Sequence, residues 1–165
     1  MFLVTFLSIV RAKVVLRGLR GSKECTALVD TGAAMSVVDE DIAEVIGIMR
    51  TNRRKSLVSA TGHKLEGEVI IIKELDIEGE ILDYEKALMV KLSEEVKSTL
   101  RKLNVDDSVI IGLTTVELAG FLPDTTTGRL RKVEAFLLSA SDNAMHHNFL
   151  AGVYPRLDHP EKIEE

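Results

Sequence analysis

The chain has 165 residues, 45% of them hydrophobic and 28% charged, with a formal net charge of −5. That length and apolar content suit one domain around one core, and the lack of a basic patch with interleaved aromatics argues against nucleic acid as a partner. A single cysteine, Cys25, excludes an intrachain disulfide and fits a reducing, cytoplasmic compartment. Tryptophan and glutamine are absent, asparagine is scarce, and Ile, Val, Glu and Lys are plentiful, a bias that predicts a thermostable protein.

Residues 2–10 are apolar enough to suggest a signal peptide. No positive residue precedes them, they are too short to span a bilayer, and Arg11 and Lys13 follow without a small-residue cleavage site. Their β-branched and aromatic content predicts a strand, and no membrane partner is expected. Strands follow over 12–18 and 24–30, joined by a turn at Gly18-Leu-Arg-Gly21 that lacks the Gly-Lys-Ser/Thr ending of a P-loop. The second strand runs into Asp30-Thr31-Gly32-Ala33, and Ser36-Val37-Val38 turns apolar again. If Asp30 ends the strand, Thr26, Leu28 and Asp30 share one face, and Cys25, Ala27 and Val29 share the other.

Asp39 is placed to N-cap a helix from Glu40 to Ile46 that Gly47 closes. Strands are expected at 53–60, 65–77 and 80–91, with turns at Thr61-Gly62 and Glu78-Gly79. Ser93, Glu94 and Glu95 start a helix that runs to about Leu103. A strand over 107–111, a helix over 114–120 and a last strand over 129–138 complete the set. Many strands with two or three short helices predict a mainly β fold, a closed barrel-like sandwich. The domain is expected to cover 1–138, and 139–165 to form a C-terminal extension, partly mobile, with a polar ending over 158–165.

An Asp, a hydroxyl residue and Gly in a row is weak evidence alone, since the three are ordinary turn residues. Two features strengthen it: the apolar runs on both sides, and the string Val109-Ile110-Ile111-Gly112 some eighty residues downstream. Together these resemble the retropepsin-like aspartic proteases, in their cellular single-lobe form. Asp30-Thr31-Gly32-Ala33 matches the catalytic turn, and Ile110-Ile111-Gly112 matches the strand that passes behind it. The stretch from Gly120 to Leu130 is similar to the loop and last strand of cellular members, so the resemblance spans about 12–135.

The resemblance implies an acid-protease fold and an aspartic endopeptidase that is active as a homodimer, with one Asp30 from each chain; a higher oligomer stays open. Two carboxylates that close hold one proton between them, so one serves as base on a water and the other as acid to the carbonyl. Aspartic proteases are themselves the standard illustration of this shared proton. Thr31 would hydrogen-bond across the dimer axis, Gly32 and Ala33 would support the turn, and terminal strands would build the intersubunit sheet. Leu28 and Ile111 are expected to line the cleft. The hairpin 58–65 is the candidate flap, with Ala60, Thr61, Gly62 and His63 against a peptide or unfolded protein substrate. No cofactor or metal is expected: His146 and His147 are adjacent and so diverge, and no Cys or acid cluster joins them or His159. Cys25 reads as a packed small hydrophobe. Two other readings stay open, a retropepsin fold kept as a peptide-binding or assembly module with little proteolysis, and a β-rich domain whose Asp-Thr-Gly is an ordinary turn.

Overall fold

Alternation of apolar and polar residues over Val10–Arg17 makes the first strand, β1, which buries Val10, Ala12, Val14 and Leu16 on one face. The computed structural model describes residues 9–58 and 64–133. β2 (Ser22–Asp30) pairs antiparallel with β1, from Arg17 opposite Ser22 to Val10 opposite Val29. The turn between them lies against the end of α1 (Glu40–Ile46), where the N–H groups of Leu19, Arg20 and Gly21 donate to the carbonyls of Gly47 and Ile46. Those carbonyls have no partner inside the helix, so the hairpin turn serves as its C-terminal cap. A side chain at Gly18 would place its Cβ 2.1 Å from the Ile46 oxygen.

α1 has the boundaries expected from its caps, with Gly47 at φ 74°. Its N-cap, Asp39, is almost fully buried and makes more than a cap. One carboxylate oxygen accepts from the Asp41 N–H at 3.2 Å and lies 3.1 Å from Lys97 Nζ, and the other accepts from the Leu92 N–H at 3.0 Å. The contact with Asp39 holds the Lys97 ammonium above the ordinary lysine range.

The remaining elements are β3 (Ser36–Asp39), β4 (Met49–Val58), β5 (Lys64–Ile77), β6 (Glu80–Val90), α2 (Glu94–Lys102), β7 (Val109–Gly112), α3 (Leu113–Leu118), β8 (Phe121–Asp124) and β9 (Arg129–Lys132). The large sheet runs β1-β2-β7-β3-β6-β5-β4, and a further pairing of β1 with β5 closes the first six of these into a barrel. β2–β7 and β3–β6 are parallel and the other pairs antiparallel, so the barrel is mixed. β4 lies outside the ring, on β5, and β8 and β9 form a separate two-stranded sheet. The expected mainly β, closed barrel with a few short helices is what the chain builds. No helix among the described residues is long and apolar enough to cross a membrane.

Two apolar clusters result among the described residues. The larger fills the barrel with β1, Ala27, Val29, Ile70, Ile72, Leu75, Ile77 and Ile111. The smaller, Val37, Val69, Leu88, Val90 and Leu92, has Met35, Leu57, Leu65 and Ile110 against it. Several boundaries differ from the sequence expectation. β3 and β8, four residues each, were not foreseen as separate strands; β3 is buried at every position and so carries no alternation to read. β4 begins at Met49 rather than 53, through a register shift at Asn52, which holds φ 57°. The strand proposed for residues 2–10 lies largely outside the described residues, as do the domain boundary at 138 and the extension 139–165.

Candidate active site

Asp30 is the last residue of β2 and stands in parallel register with Gly112 of β7. The alternation along β2 holds to the end: Ala27 and Val29 are buried in the barrel, while Thr26, Leu28 and Asp30 face outward. The strand therefore delivers the carboxylate to the surface. There the Gly32 N–H donates to its Oδ1 at 2.9 Å, and the Ala33 N–H donates to the Asp30 carbonyl at 3.1 Å. A Cβ at Gly32 would lie 3.2 Å from Oδ1, a tight approach that glycine avoids. The Asp30-Thr31-Gly32 apex is exposed and Ala33 half-buried.

From behind, β7 and α3 hold the turn. The Leu113 N–H, first of α3, donates to the Ala33 carbonyl at 2.8 Å. Gly112 passes so close that a Cβ there would sit 2.4 Å from the Met35 carbonyl carbon. A chain of hydrogen bonds, its first two links buried, then fixes the exit of the turn. The Gly112 N–H donates to Ser36 Oγ at 3.1 Å, the Ser36 hydroxyl to Thr115 Oγ1 at 2.9 Å, and the Thr115 hydroxyl to Glu85 Oε1 at 3.0 Å. Each hydroxyl has one proton, so the terminal carboxylate sets the direction of the chain. Sequence reasoning missed Ser36, Thr115 and Glu85. Ser36 carried a signal, a small polar residue inside the apolar run Met35-Ser36-Val37, whereas Thr115, within Leu113-Thr-Thr-Val-Glu117, and Glu85 carried none.

Leu28 is half-buried on the Asp30 face, as its position in the alternation requires. Ile111 is a correction. It is fully buried in the barrel core and offers no surface to a substrate. Its neighbour Ile110 is the register partner of Leu28 and packs on the smaller apolar cluster, so Ile110 faces the side that was assigned to Ile111. The expected flap hairpin has paired arms up to Val58 opposite Lys64. Its tip, with Ala60, Thr61, Gly62 and His63, lies outside the described residues, as do His146, His147 and His159. Among the described residues no group of three His, Cys, Asp or Glu is placed to hold a metal ion.

Two titrating groups flank the strand. Burial, with Asp106 nearby, pushes the Cys25 thiol up to about 12, so it stays protonated and is a poor nucleophile. Burial raises the Asp106 carboxyl, but hydrogen bonds from Lys23 and from the Ser108 hydroxyl and N–H outweigh it and hold the group below the usual range. Lys23 Nζ stands 2.7 Å from its Oδ2, and the Asp106 N–H donates to the Thr26 carbonyl at 2.8 Å.

The family model for gag-polyprotein putative aspartyl protease matches residues 19–115, which contain the Asp30 turn, β7 and both arms of the hairpin. The chain belongs to this retropepsin-like family. Among solved structures it is similar to a retropepsin-like aspartic protease from Rickettsia conorii, at 17% identity over 68% of this chain and 73% of that one, with a TM-score of 0.43. No curated protein matches it.

Proposed function

We propose that the chain is an aspartic endopeptidase, active as a homodimer with one site shared between two Asp30 carboxylates. The observation that carries this reading is the exposed Asp30 apex: a rigidly backed turn that presents one carboxylate and one hydroxyl outward. One carboxylate cannot be both base and acid in the same step. A pair holding a single proton can, with the ionised member taking a proton from water as it attacks the peptide carbonyl and the protonated member serving the carbonyl oxygen. The proton then reaches the leaving amine. Thr31, exposed beside Asp30, would bond across the axis and tie the two turns together. Leu28 and Ile110 would give the extended peptide an apolar wall, and the β4–β5 hairpin would cover it. Action in the cytoplasm is part of the proposal and rests on cysteine usage.

Turnover of an unfolded peptide library by wild type and by Asp30→Asn tests it. Wild type should cleave with a bell-shaped dependence on the acidic side of neutrality, because neither the doubly protonated nor the doubly ionised pair has both roles. Asp30→Asn should be silent. Equal cleavage by the two proteins, or a rate that climbs steadily into the alkaline range, would overturn the reading.

A further inference from the structure

An open groove of roughly 700 Å3 adjoins the catalytic turn, with Ala34 and Met35 in its wall. It is cationic, and the pleat explains why. Arg53 pairs with Val69 and Lys55 with Gly67, while Val69 pairs on its other side with Leu88. Paired residues share a face, and so does Lys86, two positions from Leu88. Arg53, Lys55 and Lys86 therefore stand on the groove side, and strand spacing puts Arg53 and Lys86 roughly 12 Å apart. On the opposite face Arg50 pairs with Glu68 and Lys64 with Glu66, while Arg54, the register partner of Glu68, also reaches the groove wall. Among the described residues no carboxylate forms an ion pair with Arg53, Lys55 or Lys86. The carboxylate that does line the groove, Glu85, accepts from the Thr115 hydroxyl.

The groove also displays apolar surface that a lone surface would avoid. Tyr84 is 64% exposed and Leu118 is 62% exposed. Tyr84 holds φ 55°, an unfavourable conformation for a bulky side chain. At this point the inward positions of both strands shift: Ile72 opposite Glu85 and Leu75 opposite Leu82 are three residues apart on β5. Backbone in such a region persists where the surroundings require it, and it collects at ligand sites.

We propose that this groove binds acidic side chains of the substrate next to the scissile bond, with an apolar residue against Tyr84 and Leu118. The inference rests on the endopeptidase reading and adds the substrate class: peptides with Asp or Glu flanking an apolar cleavage site. A peptide is favoured over a nucleic acid because the groove is walled by Ala34 and Met35, the residues that directly follow the Asp30-Thr31-Gly32-Ala33 turn, and because the chain as a whole carries a net charge of −5.

The test uses matched peptides with one apolar centre and flanks of Glu or of Gln, at about pH 5.5, where Glu is ionised. Wild type should cleave the Glu peptide about three- to tenfold faster in kcat/KM, the effect expected of a few screened ion pairs. In Arg53→Glu and Lys86→Glu the preference for the Glu peptide over the Gln peptide should vanish or reverse. Equal rates on both peptides in wild type, or a preference untouched by both variants, would overturn the inference and leave the endopeptidase reading standing. If nothing is cleaved, the endopeptidase reading fails. Anisotropy of the same labelled peptides then decides the groove alone: tighter binding of the Glu peptide that the two variants abolish supports it, and equal binding overturns it. An oligouridine that binds tighter than the Glu peptide, through the same two residues, would also overturn it in favour of nucleic acid.

Discussion

At Gly112 a methyl group would meet the backbone of Met35, which cannot swing aside as a side chain would. Gly112→Ala therefore pushes the segment that follows the Asp30 turn forward or forces β7 off β2, an overpacking cost of about 1–3 kcal/mol or more. Urea melts should show that loss, and peptide turnover should fall further than stability does, because the displaced segment is continuous with the Asp30 turn. A variant with wild-type turnover would show that the close passage is incidental. Thr31 gives a separate prediction. If its hydroxyl bonds across the axis, Thr31→Ala should weaken dimer and activity in parallel and Thr31→Ser should be milder. A net hydrogen bond is worth about 0.5–1.5 kcal/mol, and a twofold site has two copies. Sedimentation across a dilution series checks it, and an unchanged dissociation constant would contradict the role.

Among the elements, β2 and β7 show what the sequence carries and what it withholds. β2 alternates, so the outward face of Leu28 and Asp30 could be read from its residues. β7 is apolar at Val109, Ile110 and Ile111, and nothing within it chooses a face. The register with β2 makes that choice and puts Ile110 beside Leu28. That is why Ile111 was misplaced by one residue. Helix ends were legible because caps are local: Asp39 and Ser93 each accept from an N–H of the first turn, as their residue types suggest. The Ser36–Thr115–Glu85 chain was not legible because it joins β3, α3 and β6 across long stretches of sequence, and the cationic groove face because it depends on the register between β4, β5 and β6. β2 is also tied to the loop before β7 by Lys23 and Asp106. Because the Asp106 carboxyl is held low in the folded protein, its contribution is fully present above the unfolded value of about 4 and is lost as pH falls through the folded value. Asp106→Asn should therefore melt below wild type at neutral pH, with the gap closing as pH drops below about 4. Thermal melts across pH check this, and a gap independent of pH would refute the linkage.

For the whole molecule, barrel closure through β1 and β5 fixes the Asp30 turn as a rigid outward feature, and the β4–β5 hairpin extends from the same sheet. The chain contains one Asp-Thr-Gly, so the proposed site is half-built in each subunit and completed by twofold symmetry. Heat tolerance, suggested by composition, would then depend on the dimer as well as the barrel, and the melting temperature should rise with protein concentration. The most direct measurement mixes wild type with Asp30→Asn at fixed total protein, after a treatment that lets subunits exchange. An amide can neither share the proton nor act as the base, so mixed dimers should be nearly silent. Activity should then follow the square of the wild-type fraction, falling to about one quarter at an equal mixture. A straight line, with exchange independently confirmed, would mean that each chain works alone and would contradict the shared site.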